Sequence, residues 1–511
     1  MVPLLESSAI TPSDTPIYKV SPRRWGILAA FCLSSAMNAF LWICFAPVVY
    51  FTESYFNVST TAVNMLSLVF MIIYIPAVGP SLWFTERYGL RKAILLAILF
   101  NCIGAWIRYI GTIVSNQNNT YQIPGFIIVM IGQCITAAAQ TVFINAPARI
   151  AGDWFAVDEL ATATTIASMA NPVGNALGSA LPGILMSGPE DIPYLCLYQG
   201  IASTIFLIIA GFAINNDHPP TPPSAAAAAK LEKRRKYMLQ NENHLLIHMD
   251  HTNTTNNNNN SDSTTALVNN STTNTPSIHH HRAKEALEAL QADYYALLSN
   301  RNFLLLAVGF GVGLGVFNAL LTLIAQLLAP CGYGDDVSSY AGGGLLLAGL
   351  IGAGIGGAVL DRTKAYIPLL RVLILITVGA MIFMLSSLRK DAEIEVIVSF
   401  ALMGSCLIPL LPISLENSAE CTYPVQEDNS ASFLLGIGQI VGIIAIFVLT
   451  PLLQDPNDPK SCSTVFTGSG GFLLALMIIA GICLISFKKD YRRQKQEHEK
   501  IDNNNSSSSN I

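Results

Sequence analysis

Residues 86–92 read Glu-Arg-Tyr-Gly-Leu-Arg-Lys, and residues 357–364 read Gly-Ala-Val-Leu-Asp-Arg-Thr-Lys. Each stretch follows a long apolar run and places an acid and then bases in a tight turn. An acid there can pair with adjacent cations or a helix N-terminus and latch one arrangement of two helix bundles. The alternative is an ordinary cation-rich turn. We predict a gating role for the charged residues of the two turns: Glu86, Arg87, Arg91, Asp361, Arg362 and Lys364.

Long apolar runs extend outward from both turns. The chain of 511 residues is 52% hydrophobic and 12% charged, whereas a soluble protein carries about 25% charged residues. Runs of about 20 apolar residues can cross a membrane, and their lack of two-residue alternation indicates helices. The sequence therefore predicts an all-α membrane protein with twelve transmembrane helices, at residues 25–50, 61–84, 93–113, 124–148, 161–186, 192–214, 302–328, 340–360, 366–388, 394–416, 431–453 and 470–487.

A polar, low-complexity segment separates these spans into two groups of six, and the matched turns indicate that the groups arose by duplication. The segment includes His218 to Pro223, a basic cluster and the tract Asn256 to Asn260, and it cannot bury enough apolar surface to fold. Its end, Arg282 to Leu298, has helical spacing that suggests a helix on the membrane surface. We predict a cytoplasmic tail (1–24), a six-helix half (25–214), a disordered cytoplasmic linker (215–301), a second six-helix half (302–487) and a tail (488–511).

The positive charges indicate how the chain is oriented. Of the 28 lysines and arginines, 24 fall in segments on one side of the predicted membrane. The exceptions are Arg108, Arg389, Lys390 and Lys460. Cytoplasmic loops are rich in such cations, so both termini are expected in the cytoplasm of a multi-pass protein. The sequons at Asn57 and Asn118 fall in loops on the other side. The sequence leaves open whether the membrane is the plasma membrane or an endomembrane.

Few residues suggest chemistry. No catalytic constellation or nucleotide-binding loop is apparent, so we predict neither an enzyme nor a nucleic-acid partner. All eight histidines lie outside the spans, and we expect no cofactor or metal site; the triple histidine 279–281 is better explained by low complexity. Cys331 and Cys462 fall in loops on the same side. We predict that they lie close enough for a disulfide in an oxidising compartment, the alternative being two unrelated thiols.

Several stretches carry a resemblance to a known family. They include Asn38-Ala39-Phe40-Leu41-Trp42, Asn101-Cys102-Ile103-Gly104-Ala105-Trp106 and Ala419-Glu420-Cys421-Thr422-Tyr423-Pro424. They resemble the major facilitator superfamily and, within it, the feline leukaemia virus subgroup C receptor-related family, solute carrier family 49. Asn171-Pro172-Val173-Gly174 resembles its major facilitator domain-containing protein 7 branch. The resemblance implies the major facilitator fold, with two six-helix halves around a central solute site.

Polar side chains near mid-span are the candidates for contact with a solute, because such groups are costly in lipid unless they pair or line a cavity. Besides Gln133, Asn171 and Asn175, we single out six predicted substrate-binding residues: Asn38, Trp42, Tyr74, Gln140, Asn318 and Gln439. For each amide, the alternative is a hydrogen bond that only holds helices together. The spans contain no histidine and no mid-span carboxylate, which disfavours proton coupling and a haem site. Glu416 and Glu420 lie near the inner end of the tenth span, and Glu420 leaves proton coupling as an alternative.

The resemblance also suggests a substrate. Choline carriers of the family hold the quaternary cation against a tryptophan of the first span and a tyrosine of the seventh, with glutamines of the fourth and eleventh nearby. Trp42, Gln140 and Gln439 match three of these positions, whereas Asn318 stands where those carriers have the aromatic residue. Losing one aromatic face costs a bound cation about 0.5–2 kcal/mol, and an amide can instead hydrogen-bond a polar solute. Phe317 is expected to point away from the site, because neighbouring helical residues are about 100° apart.

These observations predict a monomeric, facilitative transporter that moves a small organic solute, such as choline or a related amine, by alternating access. The alternative is a non-transporting membrane receptor or scaffold on the same fold. A receptor of that kind would need a structured signalling module, and the sizeable soluble segment of this chain is of low complexity. A central cavity lined by Trp42, Gln140 and Gln439 would favour the transporter.

Overall fold

The computed structural model describes residues 20–116, 122–156, 158–216, 291–363, 366–422, 427–453 and 468–488, with a few single residues between these ranges. The described residues contain α-helices and short turns but no strand. The helices are α1 (Arg24–Ile43), α2 (Val49–Phe56), α3 (Thr60–Tyr88), α4 (Leu90–Asn116), α5 (Gln122–Asn145), α6 (Pro147–Trp154), α7 (Leu160–Leu185), α8 (Ile192–Ala213), α9 (Arg301–Thr322), α10 (Ile324–Leu328), α11 (Asp335–Thr363), α12 (Tyr366–Ser387), α13 (Glu393–Leu407), α14 (Leu410–Thr422), α15 (Glu427–Leu452) and α16 (Gly468–Ser486). We refer to α1–α8 as the first half and to α9–α16 as the second half.

The predicted spans are present as helices. Within the described residues, eleven helical stretches are long and apolar enough to cross a membrane, with α13 and α14 counted as one. The twelfth predicted span is α7, which has 26 residues but is less apolar because threonines, serines and asparagines interrupt it. Its Asn175 and Ser179 are buried, so these polar groups lie against protein and not against lipid.

Four of the predicted spans are interrupted; the breaks after α1, α5 and α13 lie beside a proline, whereas the break at Leu323 between α9 and α10 does not. The first span was predicted to continue to residue 50, but α1 ends at Ile43 and a bend at residues 44–48 leads into α2. Pro47 lies in this bend, and proline disfavours the helical conformation of the residue before it. The tenth span divides into α13 and α14 around Pro409, whose ring lacks the N–H that a continuous helix requires.

The two halves repeat the same helix contacts, as expected for a duplication. In the first half α1 packs on α7, α3 on α5, and α4 on both α5 and α8. In the second half α9 packs on α15, α11 on α13, and α12 on both α13 and α16. The halves meet mainly through two further pairs, α7 with α11 and α3 with α15. In the repeat, α3 corresponds to α11 and α7 to α15, so the two pairs are equivalent contacts between the halves. The space between the halves lies between these two pairs, at the centre of the bundle.

The ends of the helices define two faces of the bundle. We call the face at which α1 begins and α16 ends the termini face, and the other the opposite face. Cys331 and Cys462 form a disulfide on the opposite face, with 4.6 Å between their Cα atoms, which confirms the predicted proximity. Disulfides persist in oxidising compartments, and the exposed ion pair of Arg389 with Glu395 lies on the same face.

The predicted tails and linker lie largely outside the described residues. Near the end of the linker, residues 291–299 are helical, in line with the helical spacing of that stretch. Tyr294 packs against Phe433 of α15, with ring centres 5.8 Å apart. The Asn429 amide also donates a hydrogen bond of 2.8 Å to Asp293. This part of the predicted linker is therefore ordered against the second half, so the term "disordered" does not apply to it.

Candidate functional site

A cavity of about 180 Å³ lies between the two halves. On the same measure a single water needs roughly 10–15 Å³, so the cavity has room for a small organic molecule together with water. Its walls come from α1, α5 and α7 of the first half and from α9 and α12–α16 of the second. Four of the predicted substrate-binding residues line it together: Trp42, Gln140, Asn318 and Gln439.

Trp42 is held on the wall of the cavity by the last turn of α1. Only 5% of its surface is exposed, and the indole N–H donates a hydrogen bond of 3.1 Å to the carbonyl oxygen of Ser67 in α3. The polar edge of the ring is thereby satisfied within the protein. What remains available to a solute is an aromatic face, which attracts cations through the quadrupole of the ring.

Polar amides of the first half form another part of the wall. Gln140 lies on α5, and its Oε1 atom has no hydrogen-bond partner among the described residues. Asn171 and Asn175 lie one turn apart on α7, where the Asn175 amide donates to the Asn171 oxygen over 3.4 Å. The second polar atom of each asparagine has no partner in the described part of the chain. Unpaired buried amides are costly, so this wall is suited to a solute or water that hydrogen-bonds.

Asn318 and Gln439 face the cavity from the second half. The Asn318 amide donates to Gln439 Oε1 over 3.3 Å, and both side chains are buried. Gly442 packs beside this pair, where a Cβ atom would be in ordinary contact with Asn318 Cβ at 3.4 Å and in tight contact with the sulfur of Met71 at 3.2 Å. This bond occupies one polar atom of each amide and leaves Asn318 Oδ1 and the Gln439 N–H groups for other partners.

Phenylalanines that were not predicted also line the cavity. They are Phe143, Phe310 and Phe317. The expectation that Phe317 points away is wrong, because the wall of α9 is a stripe that includes Phe310, Leu314, Phe317 and Asn318. A helix face of this kind is more than 100° wide and accommodates two adjacent residues. Phenylalanine in an apolar span carries no signal that separates a cavity wall from lipid contact, so only the packing could identify these rings.

The other two predicted binding residues lie elsewhere. The Asn38 amide donates to Asn101 Oδ1 over 2.8 Å and to the Thr136 carbonyl over 2.9 Å. It thus links α1, α4 and α5, which is the alternative considered for each amide. Tyr74 is fully buried in α3 among the apolar residues between the halves. Neither side chain is among those that line the cavity.

The lining of the cavity carries no charge within the described residues. Moving a charged solute into such a site removes its hydration, and in the absence of a counter-charge that loss must be offset by aromatic faces and amide oxygens. A compact ammonium that donates several hydrogen bonds would require many acceptors here. A quaternary ammonium, which donates none, is better matched to rings and to amide dipoles.

The predicted gating residues are only partly described. Arg87 is exposed and lies over the rings of Trp83 and Tyr88, at 5.6 and 5.7 Å. Arg91 donates a hydrogen bond of 2.8 Å to the carbonyl oxygen of Ile214 at the end of α8, a contact within the first half. Arg362 is exposed. The side chains of Glu86 and Asp361, and all of Lys364, lie outside the described residues.

On the opposite face, the cavity ends where the halves are in close contact. Gln326 of α10 donates a hydrogen bond of 2.9 Å to Asn64 of α3. Small residues of α7 and α11 touch nearby, so that a Cβ atom on Gly183 would collide with Ser339. Burial raises the pKa of Tyr50 in α2 to about 12, and the carboxylates of Asp335 and Glu53 add to the effect. Tyr50 is therefore neutral on the opposite face.

One polar contact also joins the halves near the termini face, where the Ser432 hydroxyl of α15 donates to Asn145 Oδ1 of α5 over 3.2 Å. Elsewhere on that side the cavity extends between α7 and α14, along Ser168 and Asn171 of the first and Leu411 and Ser414 of the second. These two helices come from different halves and do not pack closely on each other. The halves are therefore closed more tightly toward the opposite face than toward the termini face.

Comparisons with known proteins agree with the fold. The model of the Major Facilitator Superfamily matches residues 31–422. Solute carrier family 49 member A3 of Xenopus tropicalis is 28% identical over 96% of this chain and 92% of its own length. Choline/ethanolamine transporter FLVCR2 of Homo sapiens is 27% identical over 96% of this chain and 82% of its own.

Among solved structures, a D-xylose–proton symporter superposes with a TM-score of 0.63 at 11% identity and covers 92% of this chain and 98% of the symporter. A bacterial homologue of the human lysosomal transporter Spinster, captured facing inward and unoccupied, gives a TM-score of 0.60 at 14% identity over 93% of this chain and 99% of its own. At these identities the likeness concerns the fold alone. The relatives in solute carrier family 49 confirm the resemblance noted in the sequence.

Proposed function

The chain belongs to the major facilitator superfamily, and from that premise we propose that it carries a small organic solute through the cavity between its halves by alternating access. The observation that supports this most is the meeting of Trp42 and Gln140 from the first half with Asn318 and Gln439 from the second around one cavity. A rocking movement of the halves would expose these residues to each side in turn. No charged group lines the described cavity, which favours facilitative transport without a coupled proton.

Choline or a related amine is the solute that this site suits best. Relatives of the chain are named choline/ethanolamine transporters. The Trp42 face provides the cation–π contact that a quaternary ammonium needs, and the amides of Gln140 and Gln439 provide partners for a hydroxyl group. The absence of a lining carboxylate matters less for a quaternary cation than for a primary one.

A second candidate rests on Asn318. Where an aromatic ring would add another cation–π face, this chain has an amide hydrogen-bonded to Gln439. Together with Gln140, Asn171 and Asn175, this pair gives the cavity a strongly hydrogen-bonding lining. A small uncharged polar solute would use these groups and would not need the cation site.

Uptake of labelled choline by cells that express the chain tests the first candidate. We expect uptake above vector controls, and a loss of about tenfold or more with Trp42→Ala, because a desolvated cation–π contact contributes about 2 kcal/mol. Trp25→Ala is the matched control, because Trp25 is 43% exposed and lies outside the cavity. Equal uptake by Trp42→Ala and the wild type would contradict the proposed role of Trp42 in solute binding.

Thermal stabilisation of the purified protein by a solute panel separates the remaining alternatives. Stabilisation by choline or ethanolamine supports an amine carrier, and stabilisation by uncharged polar solutes alone supports the second candidate. A receptor or scaffold would be stabilised by neither, and reconstituted vesicles would show no flux. The panel includes both classes at equal concentrations.

We further propose that both termini are cytoplasmic, that the protein works as a monomer, and that the two charged turns latch the halves. The excess of positive charge at the termini face and the disulfide on the opposite face both support this orientation. The latch rests on the position of the turns at the ends of α3 and α11. Protease access to N- and C-terminal tags in sealed cells measures the orientation; cleavage from outside would reverse it.

A further inference from the structure

Arg108 is the most unusual charged residue of the bundle. It lies in α4, its side chain has 0% exposure, and no carboxylate forms an ion pair with it among the described residues. A cation buried in a membrane protein without a counter-charge is costly, and such residues are rare unless they serve a function. The fold must therefore stabilise this guanidinium through uncharged partners, and the identity of those partners indicates the role of Arg108.

The described hydrogen-bond and cation–π partners of Arg108 belong to one short segment, residues 41–45, which we call the elbow; Cys196 of α8 also lies close enough to interact with it electrostatically. Its Nη1 donates to the carbonyl oxygen of Leu41 over 3.4 Å, and its Nη2 to the sulfur of Cys44 over 3.0 Å. The guanidinium carbon also lies 4.7 Å from the centre of the Phe45 ring. One side chain thus holds the elbow at three points.

The elbow needs such a partner because α1 stops at Ile43. The last carbonyl oxygens of a helix have no partner within the helix, and they carry the negative end of its dipole. A cation placed there gains hydrogen bonds and a favourable field. Gln133 of α5 adds a second donor, 3.0 Å from the same Leu41 oxygen, and the Phe45 face adds a cation–π contact.

The neighbouring helix is shaped to admit this side chain. Gly132 of α5 faces it, and a Cβ atom there would lie 2.8 Å from Arg108 Cγ and 2.6 Å from the carbonyl oxygen of Gly104. The arginine stem therefore runs through a gap that exists only because residue 132 lacks a side chain. The packing of the arginine stem against Gly132 therefore directs the guanidinium toward the elbow.

Trp42 lies inside the elbow, between two of the residues that Arg108 holds. Its ring lines the cavity, whereas Arg108 does not. We propose that Arg108 is a positioning residue, which fixes the elbow and thereby the orientation of the Trp42 ring toward the solute. The inference rests on the proposed role of Trp42 in solute binding. Arg108 acts on the solute through the backbone and side chains of the elbow and not by contact.

Transport kinetics test the role directly. In Arg108→Gln, we expect the choline concentration for half-maximal uptake to rise about tenfold, while the amount of protein at the membrane changes little. Arg108→Lys keeps the charge but loses the planar guanidinium that reaches two acceptors. The choline affinity of Arg108→Lys should therefore lie between that of the wild type and that of Arg108→Gln. Arg389→Gln, which changes an exposed arginine on the opposite face, is the control. Unchanged half-saturation with a lower maximal rate would overturn the proposal.

A spectroscopic test does not depend on transport. With Trp25, Trp83, Trp106 and Trp154 changed to Phe, the emission reports on Trp42 alone. We expect Arg108→Gln to shift that emission to longer wavelength and to increase its quenching by acrylamide, because the ring is released toward the cavity. An unaltered spectrum would refute the positioning role even if choline proved not to be the solute.

If Arg108→Gln does not fold, Cys44→Ala provides the second variant, since it removes one acceptor of the guanidinium and leaves the charge in place. The same red shift, of smaller size, is expected from it. A change in emission without any change in solute affinity would show that Trp42 moves but does not bind, which would contradict the proposed site and not the positioning by Arg108.

Discussion

At the scale of single residues, similar amides have different roles according to the direction in which they face. Asn38 and Asn318 both lie in the last third of an apolar helix and are almost fully buried. Asn38 connects three helices of the first half, whereas Asn318 lines the cavity. The difference is geometric, since an amide that faces a neighbouring helix finds its partners there, and one that faces a cavity keeps polar atoms available.

Asn318→Tyr is predicted to strengthen choline uptake. A tyrosine at this position would add an aromatic face opposite Trp42, worth about 0.5–2 kcal/mol for a bound cation, so half-saturation should fall by about two- to thirtyfold. Gly442, which has no side chain, packs beside residue 318. The measurement is the concentration dependence of labelled choline uptake.

Asn318→Leu is the matched control, because it removes the amide without adding a ring. Weaker uptake with Tyr than with Leu, at equal amounts of protein in the membrane, would contradict the cation site and would favour a hydrogen-bonding solute.

At the scale of helices, glycine positions show which pairs are in backbone contact. In α7, a Cβ atom on Gly174 would collide with the carbonyl oxygen of Ala36 in α1. This close approach explains how α7, the least apolar of the predicted spans, is held within the bundle: its Asn175 and Ser179 are buried against other helices. The same contact brings Asn171 and Asn175 alongside the cavity.

Gly174→Ala is predicted to destabilise the first half. Adding a methyl group to a filled interface typically costs 1–3 kcal/mol, so the apparent melting temperature in detergent should fall. Gly211→Ala is the control, since a Cβ atom at Gly211 of α8 meets nothing within 4 Å. Equal melting temperatures for the two variants would mean that α1 and α7 can separate without cost.

At the scale of the whole molecule, the part of the chain that the structure describes shows polar contacts between the halves on both sides of the cavity. The bond between Gln326 and Asn64 closes the opposite face, and that between Ser432 and Asn145 lies near the termini face. Alternating access requires the first contact to break when the cavity opens to the opposite face. The α7–α11 interface is made of small residues, so these two helices can then separate without disengaging interlocked large side chains.

Joining Asn64→Cys to Gln326→Cys with a short bifunctional thiol reagent is therefore predicted to arrest transport. The link would hold the opposite face closed, so uptake should fall to background, and cleavage of a reducible link should restore it. Each single cysteine variant, treated in the same way, serves as the control. Full uptake by the cross-linked protein would show that this face does not need to open.

The family and the transporter class were within reach of the sequence, but the detailed site was not. Trp42, Gln140, Asn318 and Gln439 were predicted and do line one cavity, because polar or amphipathic residues in apolar spans are few and conspicuous. Phe310 and Phe317 were missed because apolar residues in apolar spans are indistinguishable by type. Arg108 was counted only as a charge on the outer side, and its burial at the end of α1 became visible only in the packed bundle.

The sequence by itself determined the number and approximate limits of the spans, their division into two groups and the excess of cations on one side. These are local properties, since hydrocarbon thickness and backbone hydrogen bonding act on each span separately. Only the tertiary structure decided which face of each helix meets the cavity, where α1 bends, and that Arg108 is buried at the end of α1. Those outcomes depend on the rotation and spacing of helices that are distant in the chain, which no single span encodes.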